Sequence, residues 1–290
     1  MNQSVLLRLS GVDHTARPTW KLRETIEFYR DTLGLPLVHA ISARGWGPHS
    51  HPDFLHFFFD SGNGSTIAFF YYLGEPRPQE RPAMPPTPDD HVFDATHTAW
   101  LTDSVERLLA WKEMLEAKGV EVSSTTQHEV IQSIYFRDPN GYFIEITVKL
   151  RELQALDASD AALTLAAAIK AEQVASGHAG RAGQVRQIDT VWQEKGRLLS
   201  GQCGITCEGP GIFVPALAEF ASVVDAARRH CAYRVSQPSP GYFLIESDEA
   251  LEFNRKELGL KPAVWYGMFT GGLCGRIDTF DKDRVRIVEQ

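Results

Sequence analysis

The chain has 290 residues, 43% of them hydrophobic and 23% charged, and a formal net charge of -8. That length suits two ordinary domains, and the acidic balance argues against general attraction to nucleic acid or an anionic membrane. No apolar run is long enough to span a bilayer, the first residues lack a secretory pattern, and four cysteines at 203, 207, 231 and 274 are too sparse for a disulfide scaffold. These features predict a cytoplasmic protein with reduced thiols.

Residues 5–9 read as a strand, followed by Gly11-Val12-Asp13-His14 and a polar connection over 15–19. Leu22, Ile26, Phe28, Tyr29 and Leu33 recur at helical spacing, Gly34 ends that helix, and Pro36 blocks its continuation. Strands are predicted over 37–41, 54–59 and 65–73, with a turn at 60–64. The proline-rich stretch 74–88 reads as a linker. The pattern then restarts, with a strand over 95–101 and a helix start at Asp103-Ser104-Val105-Glu106. Val105, Leu108, Leu109, Trp111 and Leu115 carry the helix and Gly119 ends it. Strands over 120–122, 132–136 and 142–148 follow.

The first half is thus a β-α-β-β-β unit written twice, with modules at about 4–74 and 92–150. Asn63-Gly64-Ser65-Thr66-Ile67-Ala68 aligns with Asn140-Gly141-Tyr142-Phe143-Ile144-Glu145, and His14 aligns with His97. Where the second copy has Glu145, the first has Ala68. The last two strands turn at Pro139-Asn140-Gly141. An acid between Ile144 and Ile146 is costly to bury without a partner. A solvent-facing acid is the plainer account. Two histidines related by an internal repeat, with an acid on the final strand, form the pattern of a two-histidine, one-carboxylate metal triad. Alternation puts Glu145 on one face with Phe143 and Thr147.

With these residues in view, the duplication, its three candidate ligands and the run from Ser133 through Asp138-Pro139-Asn140-Gly141 to Glu145 resemble the vicinal oxygen chelate superfamily. That superfamily includes glyoxalase I, extradiol ring-cleaving dioxygenases, fosfomycin-resistance enzymes and bleomycin-binding proteins. The resemblance covers about residues 4–150. It implies an α+β fold in which two βαβββ modules form a metal-binding cup, with His14, His97 and Glu145 as ligands. It also implies Tyr135, ten residues before the carboxylate, beside the metal, and His128 as an acid or base near it. Tyr135 as filler of the cup and His128 as a loop residue remain open.

Ala68 removes the fourth ligand of a glyoxalase I site, and the aromatic strands suit a flat ring better than a small anion. Phe58, Ala68, Phe70 and Phe143 are therefore the expected substrate pocket. The resemblance then implies an Fe(II) extradiol-type dioxygenase acting on a small catechol-like or hydroquinone-like aromatic with O2. The alternatives are a glyoxalase-like or fosfomycin-resistance-like isomerase, lyase or transferase using Mn, Ni or Zn, and a non-enzymatic binding protein. Extradiol enzymes carry a further acid–base histidine near the turn of the ligand-free module. Here Gly64 and Ser65 stand there, with His56 displaced along the preceding strand. Modules of such cups pair within or between chains, which leaves a homo-oligomer open.

The expected domains are 1–150 for the cup and 151–290 for a smaller α+β domain of unassigned role. In the latter, helices are predicted over 153–174, 185–199, 216–230 and 249–258, and strands over 211–214, 242–246, 263–270 and 285–288. Cys203, Cys207, His230 and Cys231 have poor zinc spacing and read as core or loop residues. Gly271-Gly272-Leu273-Cys274-Gly275 reads as a hairpin turn.

Overall fold

The computed structural model describes all residues except 1–8, 33–34, 46–50, 63, 77–93, 96, 138–142, 178–184 and 208. The expected 5–9 strand, Gly34 helix end, proline linker and Pro139-Asn140-Gly141 turn therefore lie wholly or largely outside the described residues.

Strands β1 (Val12–Pro18), β2 (Leu37–Ala43), β3 (Phe54–Gly62) and β4 (Ser65–Tyr72) build the first module with helix α1 (Leu22–Ile26), which continues as a π-helical turn (Glu27–Thr32). The second module is β5 (His97–Thr102), α2 (Val105–Ala117), β6 (Thr126–Gln127), β7 (Ile131–Arg137) and β8 (Phe143–Lys149). All eight strands form one sheet in the order β2-β3-β4-β1-β5-β8-β7-β6, so each module has the same internal order. β1 runs parallel to β4 with His14 opposite Thr66, and β5 runs parallel to β8 with His97 opposite Phe143. The repeat alignment and the strand register therefore agree. The seam is the antiparallel β1–β5 pair, with His14 opposite Ala99.

Two local expectations change and one is met. His14 lies inside β1, and 15–18 continue that strand, because β4 and β5 pair with it on both sides. Residues 120–122 form no strand; a two-residue strand at Thr126–Gln127 takes their place at the edge beside β7. The helix start lies at Ser104, whose hydroxyl accepts the Arg107 backbone N–H, as an N-cap should.

Alternation divides each strand between two cores. Leu108 on α2 packs with Ile134, Ile146 and Val148 behind the second module. Leu55, Phe57, Phe59, Phe69 and Tyr71 point behind the first module, where Leu22 and Ile26 meet them. That second core continues without a break into α3 (Ala155–Gly177) and α4 (Ile188–Cys203), through Ala161, Leu165, Ala168 and Trp192. Polar links cross the same boundary. Trp192 Nε1 donates to Ser42 Oγ at 2.9 Å, Ser42 Oγ bonds Thr270 Oγ1 at 3.0 Å, and the Tyr71 hydroxyl bonds Glu172.

The last third contains β9 (Gly211–Pro215), α5 (Ala221–Arg229), β10 (Tyr233–Ser239), β11 (Tyr242–Ser247), β12 (Leu251–Asn254), β13 (Leu273–Cys274), β14 (Arg276–Phe280) and β15 (Arg284–Val288). They form sheets ordered β10-β11-β9-β13 and β12-β15-β14. The expected 249–258 helix is β12 followed by one helical turn, because Leu251 to Asn254 pair with β15 and Asn254 then caps the turn. The expected 263–270 strand is a helix at Pro262–Tyr266, begun by a proline at its first position, followed by turns. Cys207 and Cys274 form a disulfide with Cα atoms 6.3 Å apart, which corrects the expectation of four reduced thiols; Cys203 and Cys231 are free. Chain spacing of 67 residues hid that approach. Among the described residues no helix is long and apolar enough to cross a membrane.

Candidate metal centre

His14 on β1, His97 at the start of β5 and Glu145 on β8 project from the concave face of the sheet. Each offers a ligand atom, and these atoms all lie within 4.8 Å of one another. His14 is 2% exposed and Glu145 1%. Strands β1, β5 and β8 are consecutive in the sheet, so the seam between modules brings the three together.

The protonation pattern of the imidazoles follows from their outer contacts. His97 Nδ1 lies 2.9 Å from the Asp94 carbonyl oxygen, which can only accept, so Nδ1 carries the proton. His14 Nδ1 lies 2.8 Å from Asp13 Oδ1, which fixes the same tautomer when the carboxylate is ionised. Both Nε2 lone pairs then face Glu145 Oε2, at 2.9 Å from His97 and 3.6 Å from His14. His97 Nε2 is buried and has no aligned hydrogen-bond partner among the described residues. With both imidazoles neutral, three electron-pair donors converge with no donor hydrogen between them, and a divalent cation fits that donor set.

The charges agree. Burial works to raise the Glu145 pKa, but the close approach of His97, the charges of His14 and His97, and the Ser133 hydroxyl hold it at about 2. Burial works to lower His14, and the Asp13 hydrogen bond with the Glu145 charge leaves it raised.

Tyr135 lies opposite Glu145 on β7. Its hydroxyl is 3.3 Å from Glu145 Oε1 and 2.8 Å from His128 Nε2. The phenol donates to Glu145, and its oxygen can at the same time accept from His128 Nε2 in the tautomer that carries a proton there. Burial, then the Glu145 charge, pushes the Tyr135 pKa well up, and burial lowers that of His128. Phe143 stacks on Tyr135 at 5.4 Å and stands 6.1 Å from the His97 ring.

A cavity of about 160 Å³ opens beside His14, with Phe58, Ile41, His39, His128, Glu129 and Arg151 in its walls. Of the four apolar residues expected around a substrate, Phe58 lines it. Ala68 is fully buried opposite Phe58, and Phe70 stacks on His56 with ring centroids 3.6 Å apart. The His56 ring is 6.2 Å from that of His14, and its buried Nε2 has no hydrogen-bond partner among the described residues. Burial and the surrounding histidines push its pKa well down. Sequence reasoning missed Asp13, His39, Glu129 and Arg151. Their only sequence signals are the adjacency of Asp13 and Glu129 to His14 and His128, and the strand alternation that turns His39 inward.

Fold and site together define a duplicated βαβββ cup with a two-histidine, one-carboxylate centre. Residues 11–146 match the sequence profile of the Glyoxalase/Bleomycin resistance protein/Dioxygenase superfamily. Biphenyl-2,3-diol 1,2-dioxygenase 2 of Rhodococcus globerulus is 40% identical over 52 residues, which are 18% of this chain and 27% of that enzyme. Among solved structures, a 2,3-dioxygenase from Pseudomonas sp. KL28 is 21% identical over 50% of this chain and 44% of its own, with a TM-score of 0.34. Methylmalonyl-CoA epimerase from Mycobacterium tuberculosis is 14% identical over 51% of this chain and 93% of its own, also at 0.34.

Proposed function

We propose that the chain is an Fe(II)-dependent, extradiol-type oxidoreductase that opens a small catechol-like or hydroquinone-like ring with O2. The convergence of His14 Nε2, His97 Nε2 and Glu145 Oε2, with both Nδ1 atoms engaged elsewhere, carries this reading. An Fe(II) ion held by His14, His97 and Glu145 would supply a Lewis-acidic, redox-active centre. The 52-residue likeness to a biphenyl-diol dioxygenase supports oxygen chemistry over the isomerase and transferase alternatives.

The chain's own residues have definable tasks in this reading. Phe58 offers a flat apolar surface whose ring lies 5.5 Å from that of His14. His128, kept neutral by burial, can take a proton at Nε2 from the Tyr135 hydroxyl, which in turn can take one from a ring hydroxyl. Asp13 and the Asp94 carbonyl hold the two imidazoles in place.

The test is metal content after purification without oxygen, paired with oxygen uptake on a panel of catechols and hydroquinones. About one iron per chain with ring-dependent uptake, both lost in Glu145→Ala, is the expected result. Another divalent metal with turnover but no uptake would favour an isomerase, lyase or transferase. No metal after reconstitution would leave a binding protein.

A further inference from the structure

The cavity beside His14 has a second polar wall that the metal centre does not use. His39 sits on β2, paired with Phe58 of β3, and its ring, like that of His14, is 5.5 Å from the Phe58 ring. Glu129, just before β7, approaches it from the other module, with Glu129 Oε2 3.7 Å from His39 Nε2. That distance is too long for a hydrogen bond. His39 Nε2 and Glu129 Oε1 are both buried without a hydrogen-bond partner among the described residues. Buried polar atoms are rarely left so, because each loses its water without a replacement.

The charges around this wall restrict what can fill it. Arg151 also lines the cavity, but its donors are committed. Nε and Nη2 reach Glu219 at 3.0 and 2.6 Å, Nη1 and Nη2 reach Asp157 at 2.8 Å each, and Nη1 reaches the Glu152 carbonyl at 3.0 Å. A guanidinium has five N–H groups, so Arg151 has none left for an anion. The other cation in the lining, Lys149, is exposed. Burial brings His39 down to about 4, with Asp157 and Asp160 opposing. Burial, then Glu219, Asp160 and Asp157, pushes Glu129 well up. Burial thus favours the uncharged form of both the imidazole and the carboxyl, and together they offer both donors and acceptors.

The volume fits one ring. About 160 Å³ is close to the roughly 150 Å³ of an apolar cavity that accepts benzene. We propose that His39 and Glu129 form a subsite for an uncharged hydrogen-bonding substituent, a hydroxyl or carboxamide, on the ring held at the His14, His97 and Glu145 centre. This rests on the reading of that centre as one that binds a ring. Phe58 packs against His39 and His14 alike.

Binding isotherms with the full chain, loaded with Fe(II) without oxygen, test it. The probes are catechol, 4-methylcatechol, 4-(hydroxymethyl)catechol and 3,4-dihydroxybenzoate. The hydroxymethyl compound should bind about tenfold tighter than its methyl analogue, as for one added net hydrogen bond, and the carboxylate should bind more weakly than either. The gain should vanish in His39→Leu and largely persist in Glu129→Gln, which keeps a donor and an acceptor. Equal affinity for the hydroxymethyl and methyl compounds in the unaltered protein would overturn the subsite, whether or not the variants fold. So would a gain that survives His39→Leu. Failure of catechol itself to bind would overturn the ring reading, and the subsite with it.

Discussion

His97 Nε2 stands 2.9 Å from Glu145 Oε2 while its other nitrogen is occupied by the Asp94 carbonyl. Two buried electron-pair donors held that close repel each other unless a cation or a proton joins them. The protein keeps them there from both sides: Asp94 fixes the imidazole, and Ser133 with Tyr135 holds the carboxylate.

Asp13 does for His14 what the Asp94 carbonyl does for His97. Asp13→Ala should leave the fold intact and weaken divalent metal binding by about 10- to 100-fold, the usual scale for losing a partner of a ligating histidine. Competition titration against a chelator reads this directly. Unchanged affinity would mean that packing against Phe58 and His56 suffices to orient the ring.

Tyr135→Phe removes a hydroxyl and little volume. It should leave metal content unchanged and lower kcat for ring substrates by about 10²-fold, the lower end for general acid–base groups. Oxygen uptake and metal analysis on the same sample separate the two effects. Loss of metal instead would mean that the hydroxyl acts only by holding Glu145.

His39 supplies a pH dependence whose sign is fixed. Its folded pKa, about 4, lies below the ordinary 6.5, so the unfolded chain binds the proton first and stability falls as pH drops from 6.5 towards 4. The full span is worth about 3 kcal/mol. Urea unfolding at pH 7 and pH 4.5 should show His39→Leu losing about 2–3 kcal/mol less than the unaltered protein over that interval.

Lys195 is fully buried, and its Nζ bonds Asp160 Oδ1 at 2.6 Å, Thr164 Oγ1 at 2.7 Å and the Thr270 carbonyl at 2.5 Å. Burial lowers its pKa against the pull of Asp160. Lys195→Met leaves the Asp160 carboxylate with Tyr242 at 2.7 Å and no charge partner. It should cost about 3–5 kcal/mol by urea unfolding. Lys195→Met combined with Asp160→Asn should recover part of that loss, because the orphan charge is gone.

Much of the cup was legible because it is written twice. The equivalence of His14 and His97, the substitution of Ala68 for Glu145, and the placing of Phe143, Glu145 and Thr147 on one face follow from the repeat and from strand alternation. The last third has no repeat to check against. There, apolar residues over 263–270 suggested a strand where Pro262 starts a helix, and 249–258 suggested a helix where β15 recruits β12.

Amino-acid order alone determined the two modules, their inward faces and the three residues able to hold a metal, because these depend on local periodicity and on comparison of one copy with the other. Tertiary structure decided what meets what. It joined β1 to β5 at the seam, bringing His14 next to Glu145, set His39 of the first module against Glu129 of the second, and bonded Cys207 to Cys274. It also merged the first module's outer face and the helices after residue 150 into one core. These contacts join distant segments, and burial that satisfies both partners at once leaves no periodic trace in either.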